Sequence, residues 1–67
     1  MEILARRINE LRLDKTLSAV KLGKALNVSD ITIGRWEKGM MIPSALHLKN
    51  MAVFFNVTTD YLVGLQD

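Results

Sequence analysis

Ser18, Ser29, Ser44 and Thr58 each stand immediately before a short segment whose apolar residues recur at helical spacing. Serine and threonine are strong helix N-caps, because their side-chain oxygen accepts a backbone N–H that the first turn leaves unpaired. Four such starts in 67 residues leave room only for short helices joined by tight turns. Leu4, Ile8 and Leu11 form one stripe of a first helix over about residues 2–13. Ser18 starts a second, with Leu22, Ala25 and Leu26 on its inner face, which stops at Asn27. Ser29 starts a third that runs to Lys38 and ends at Gly39. Ser44 opens a fourth, with Leu48, Met51, Ala52 and Phe55 spaced for burial, and Thr58 a short fifth toward Gly64. No strand alternation survives outside these segments. The reading is one all-α domain over residues 1–67, a compact bundle of five short helices.

The core must hold this domain together unaided. Chains of this size often lean on disulfides or a metal, and the sequence has no cysteine, which rules out both a disulfide framework and a thiolate zinc site. The longest uncharged apolar run, Met51 to Phe55, is far short of the ~18 residues of a membrane span. The start, Met1 to Leu4 followed by Arg6-Arg7, does not read as a secretory leader. No membrane role is expected.

Charge is uneven. Residues 1–39 carry eight Lys/Arg and five Asp/Glu, a balance of +3, whereas residues 40–67 carry Lys49 against Asp60 and Asp67, a balance of −1. The excess suits an anionic partner on the N-terminal half.

The second and third helices carry the most information. Only Asn27-Val28 separates them, and so short a joint forces a steep crossing. Gly23, mid-helix, costs ~1 kcal/mol in propensity, so close packing at the crossing is its reason. On a helical wheel of ~100° per residue, Ile33 and Trp36 point inward, while Ile31, Gly34, Arg35 and Lys38 fall together on the opposite side, with Asp30 at the edge. Such a stripe suits the DNA major groove. Arginine reads guanine, aspartate accepts from cytosine N4, isoleucine touches a thymine methyl, and Gly34 lets the backbone approach closely.

The segments Leu26-Asn27-Val28-Ser29, Thr32-Ile33, Arg35-Trp36-Glu37-Lys38-Gly39, Pro43-Ser44, Phe55-Asn56-Val57 and Asp60-Tyr61-Leu62-Val63-Gly64 resemble the lambda-repressor-like, Cro/C1-type helix-turn-helix regulators of bacteria and their phages. The resemblance covers roughly residues 3–64, with the helix-turn-helix at about 18–38. It implies that Ser29, Asp30, Ile31, Thr32 and Arg35, with Gly34 beside them, face bases or nearby phosphates. It implies an ion pair between Arg12 and Glu37 that fixes helix three against helix one. Relatives usually carry glutamine where Ala19 stands, alanine at Gly23, glycine at Asn27, serine at Gly34, and basic residues where Met40 and Met41 stand. The phosphate clamp is thereby thinned, leaving Ser18, Lys21, Lys24, Lys38, Arg6, Arg7 and Lys15 as candidates. Affinity per monomer is expected to be weak and shallow in salt dependence, with a homodimer compensating on two half-sites. Phe54, Tyr61, Val63 and Leu65 are the expected dimer contacts.

The expected function is a sequence-specific DNA-binding regulator of the bacterial cytoplasm, a repressor that occludes a promoter. The alternative is a protein-interaction module of the same fold, using the Met40-Met41-Ile42 loop on an unidentified protein partner. Nothing calls for an enzyme, a cofactor or a metal. His47 is the single histidine, expected on the surface, and no carboxylates share a face suited to acid–base work.

Overall fold

A computed structural model describes every residue from Met1 to Asp67. Five helices follow one another: α1 (Glu2–Asp14), α2 (Ala19–Leu26), α3 (Asp30–Glu37), α4 (Ala45–Phe55) and α5 (Thr59–Val63). The four side-chain caps form as the sequence predicts. Ser18 accepts from the Lys21 N–H, Ser29 from Thr32, Ser44 from His47 and Thr58 from Tyr61, at 3.0–3.2 Å.

The helix ends obey one pattern. Thr16, Asn27, Gly39, Asn56 and Gly64 all have positive φ. The apolar residue after each, Leu17, Val28, Met40, Val57 and Leu65, donates its N–H to the carbonyl five positions back, at 2.8–3.1 Å. This is the Schellman closure, which satisfies carbonyls that a helix end otherwise leaves bare. Asparagine and glycine enter the left-handed region readily, whereas threonine, branched at Cβ, is strained there.

Each helix contributes one side chain that is fully buried: Ile8, Leu22, Ile33, Met51 and Leu62. Leu4, Leu26, Trp36, Ala52 and Phe55 complete a single core. Burying one such aliphatic side chain stabilises the fold by about 1.5–3 kcal/mol, so the five meeting points supply the cohesion that no cross-link provides. α3 packs on α2 and α1, α5 on α1 and α4, and α4 on α2.

Some expectations need correction. Ala25 is exposed, because α2 turns its Leu22-Gly23-Leu26 stripe inward to meet α3. α3 ends at Glu37, with Lys38 as its cap and the left-handed turn at Gly39. Ala5 and Pro43 are buried although neither stands out by spacing. His47 is half-buried rather than free on the surface. Its ring lies 5.2 Å from the Trp36 ring and its Nδ1 is 3.0 Å from the Ser44 hydroxyl.

Candidate nucleic-acid interface

The joint between α2 and α3 is built at Gly23. Val28 donates to the Gly23 carbonyl at 2.8 Å, and a Cβ added to Gly23 would lie 2.5 Å from the Val28 carbonyl oxygen. The turn therefore closes directly on the glycine. Asn27, at φ 60°, makes the corner, and Val28 packs against the core.

α3 is seated by its back. Ile33 is inaccessible and Trp36 is 2% exposed. Glu37, at its last turn, is held from α1. Arg12 Nε donates to Glu37 Oε2 at 2.6 Å and Arg12 Nη2 to Oε1 at 2.9 Å. Asn9, which the sequence did not single out, donates to the same Oε1 at 2.9 Å. The Arg12 and Glu37 side chains are 16% and 10% exposed. The hydrogen bond to Glu37 and its charge hold the Arg12 pKa above the usual arginine value, against the opposing effect of burial. Arg12 also donates to the Leu17 carbonyl at 2.9 Å, while the Leu17 N–H bonds the Arg12 carbonyl. One arginine thus fixes both the strained turn at Thr16 and the end of α3.

The opposite face of α3 is open. Ile31 is 62% exposed, and Asp30, Arg35 and Lys38 are exposed beside it. Arg35 has no acidic partner, since the only ion pairs are Arg12–Glu37 and Arg6–Glu10. At the N-terminal end of this face, the Ser29 and Thr32 hydroxyls lie 3.1 Å apart. Lys21 and Lys24 are exposed on α2, with Ser18 at its start. Val20, also exposed on α2, was not foreseen.

Other expected site residues lie elsewhere. Arg7, named with the phosphate contacts, has its guanidinium committed to the far end of the chain. It donates to the carbonyls of Tyr61 and Gln66 and lies 4.1 Å from the centre of the Tyr61 ring. The ammonium of Lys15 is 5.7 Å from the centre of the Phe54 ring. Phe54 is half-buried, packed edge-on against Phe55 and against the core. Tyr61 and Val63 are half-buried, and Leu65 is 79% exposed. Val53, at 73%, is a more exposed apolar residue of α4 than the Phe54 singled out by spacing.

A depression of about 420 Å³ between the start of α1 and the end of α3 is lined by Glu2, Arg6, Glu37 and Lys38 among others. It contains no histidine or hydroxyl nucleophile. No three His, Asp or Glu side chains gather in a way that would hold a metal, and no helix is long and apolar enough to cross a membrane.

A short helix, locked from behind against its partner by a two-residue turn and carrying free polar and cationic side chains in front, is the helix-turn-helix arrangement of DNA-binding proteins. The sequence pattern of the helix-turn-helix family matches residues 8–62, and the chain belongs to that family, in its lambda-repressor-like branch. The chain is 37% identical over 58 residues to the HTH-type transcriptional activator BcrR of Enterococcus faecalis, a match that takes in 87% of this chain and 28% of BcrR. It therefore spans little more than a quarter of that relative's length. The fold superposes with a TM-score of 0.86 on the P22 c2 repressor protein, solved in complex with synthetic operator 9T in the presence of Tl+. That match has 26% identity and covers 92% of this chain and 94% of the repressor chain.

Proposed function

We propose that the chain binds duplex DNA sequence-specifically, with α3 in the major groove, and regulates transcription as a homodimer on a near-palindromic operator. The observation that carries this reading is the two-sided character of α3. Its back is fully buried at Ile33, and its front offers an unpaired guanidinium at Arg35 beside an exposed Ile31. Arg35 reads a guanine edge, Asp30 a cytosine amino group and Ile31 a thymine methyl. Ser29 and Thr32 meet a base or the adjoining phosphate, and Ser18, Lys21, Lys24, Lys38 and Arg6 meet the phosphate backbone. The P22 c2 repressor's complex with an operator supports this placement. The dimer forms through the exposed Leu65 with Val63, Tyr61 and Phe54.

Repression follows by occlusion when the operator overlaps a promoter. BcrR is named an activator and the P22 c2 protein a repressor, so the position of the operator rather than the domain sets the sign. The role is binding, not catalysis, and the place of action is the bacterial cytoplasm where the DNA lies. Selection from random duplexes tests the reading. The wild type enriches one half-site motif, and Arg35→Ala relaxes one base pair of it at a cost of ~1–3 kcal/mol. A variant that binds every duplex as the wild type does would remove α3 as the reader. Solution mass tests the dimer.

A second reading, a protein-interaction module, is favoured by one observation. Met40, Met41 and Ile42 are 72%, 41% and 61% exposed in a continuous loop, and exposed apolar runs of this kind serve protein contacts. Substituting all three with serine separates the readings, because operator binding by the isolated chain survives only under the first.

A further inference from the structure

The apolar residue after a left-handed helix end ordinarily packs back on the helix it closes. Leu17, Val28 and Val57 do so, since all three are packed against the core. Met40 and Leu65 do not. They close α3 and α5 with the same kind of N–H bond, at 2.9 and 2.8 Å, yet they are 72% and 79% exposed. Leu65 has a use in the proposed dimer. Met40 has none, and Met41 beside it is 41% exposed.

The chain has four methionines and no cysteine, so thioethers are its only oxidisable sulfur. Met51 is inaccessible in the core, and Met1 is 50% exposed. Oxidants reach an exposed thioether, and the polar sulfoxide that forms would disrupt a core. The fold thus seals the sulfur whose oxidation would unfold it and presents two adjacent ones in the loop that leaves α3.

We propose that Met40 and Met41 are an oxidation site for peroxides, and that their sulfoxides weaken the hold on DNA. A sulfur lone pair attacks one peroxide oxygen, the O–O bond breaks, and the departing hydroxide takes the proton of the new S–O–H group. Sulfur loses two electrons, and the peroxide ends as water. The sulfoxide oxygen accepts hydrogen bonds and donates none. Lys38, two residues earlier, is a proposed phosphate contact, so the loop follows α3 beside the backbone, whose phosphate oxygens also only accept. Two acceptors brought together without a proton between them repel. Serine in the same place donates, so the serine-substituted loop does not share the effect. The inference rests on the DNA reading above and adds a chemical control to it.

The test uses the full chain and the duplex that the wild type selects. After hydrogen peroxide, peptide mass mapping finds oxygen at Met40 and Met41 and none at Met51, with the melting temperature unchanged. DNA affinity falls about fivefold, the cost of a polar atom left without a partner. It returns when the two methionine sulfoxide reductases, one for each sulfur epimer, act with a thiol reductant. Met40→Leu/Met41→Leu, which keeps Met1 and Met51, binds as the wild type does and ignores peroxide. Full affinity in wild type oxidised at both positions overturns the proposal. So does oxygen at Met51, a lowered melting temperature, or an equal loss in the leucine variant. If Arg35→Ala still relaxes the selected motif, the DNA reading stands without the oxidation site. A wild type that enriches no sequence overturns both.

Discussion

Arg12 and Arg7 leave the same helix and fasten it in different ways. Arg12 reaches a carboxylate on α3, shares it with Asn9, and is largely out of solvent together with that carboxylate. Arg7 reaches main-chain carbonyls at the end of the chain, one of them in exposed surroundings, and rests on the Tyr61 ring. The first joint sets where α3 sits. The second is a latch on residues 61–66. A charge shielded from water with all its partners in place costs most when one partner is removed, because the remainder is left buried and unpaired. A charge at the surface is rehydrated instead. The contrast ties the rigid joint to α3, the helix proposed to face DNA, and the loose one to residues 61–66.

The sharpest break in that contrast is Glu37→Ala. It strands Arg12 and Asn9 together and is expected to destabilise the domain by about 3 kcal/mol in denaturant unfolding. DNA affinity falls with it, since α3 loses its anchor at the last turn. A loss below about 1 kcal/mol would make Arg12–Glu37 no better than a surface pair. The sign of the pH effect follows from the raised Arg12 pKa. A cation whose pKa is raised on folding contributes fully below its unfolded value and loses that contribution only as the pH climbs through the folded one. From about pH 6 to about pH 9 the Arg12 contribution therefore stays constant, and the stability gap between wild type and Arg12→Ala should not change across that window.

Arg7→Ala is expected to cost about 1 kcal/mol, the worth of hydrogen bonds and a ring contact that water partly replaces. Its signature is local. Amide exchange should quicken at residues 61–66, including the Leu65 N–H that bonds the Asp60 carbonyl, while α3 keeps its protection. Loss of protection in α3 would mean that the two joints act as one.

The difference between the joints also marks how much the sequence disclosed. Ser18, Ser29, Ser44 and Thr58 were readable because capping is local, and Ile33 and Trp36 because helical spacing points them one way. Gly23 was readable because its cost demanded a close neighbour. The pairing of Arg12 with Glu37 was named only through resemblance, since no spacing rule joins residues on different helices. Arg7 was placed with the phosphate contacts on charge alone, and nothing local to it indicates the terminus folding back. Thr16 lies between the first two helices, outside either apolar stripe. Its left-handed backbone is set by the turn between α1 and α2, where Arg12 grips both ends of the bend. Ala25 went astray because the tight approach at Gly23 rotates α2. In each miss a tertiary contact overrode a local preference, and the residues proposed to meet DNA depend on a partner that lies outside the chain altogether.

A third arginine on α1 supplies the lower limit. Arg6 Nε lies 3.9 Å from Glu10 Oε1, one turn away, with both side chains more than half exposed. The pair is long, solvated and in the less favourable order along the helix, cation before anion. Glu10→Ala is therefore expected to change stability by less than about 0.5 kcal/mol, within the error of a denaturation curve. Its effect on DNA is the more informative measurement. Removing an acid from beside Arg6 leaves that guanidinium free for a phosphate, so at low salt Glu10→Ala should bind the selected duplex slightly more tightly than the wild type, and the gain should vanish as salt is raised. If affinity is unchanged at every salt concentration, Arg6 lies too far from the backbone to touch it, and the phosphate contacts are confined to α2 and α3.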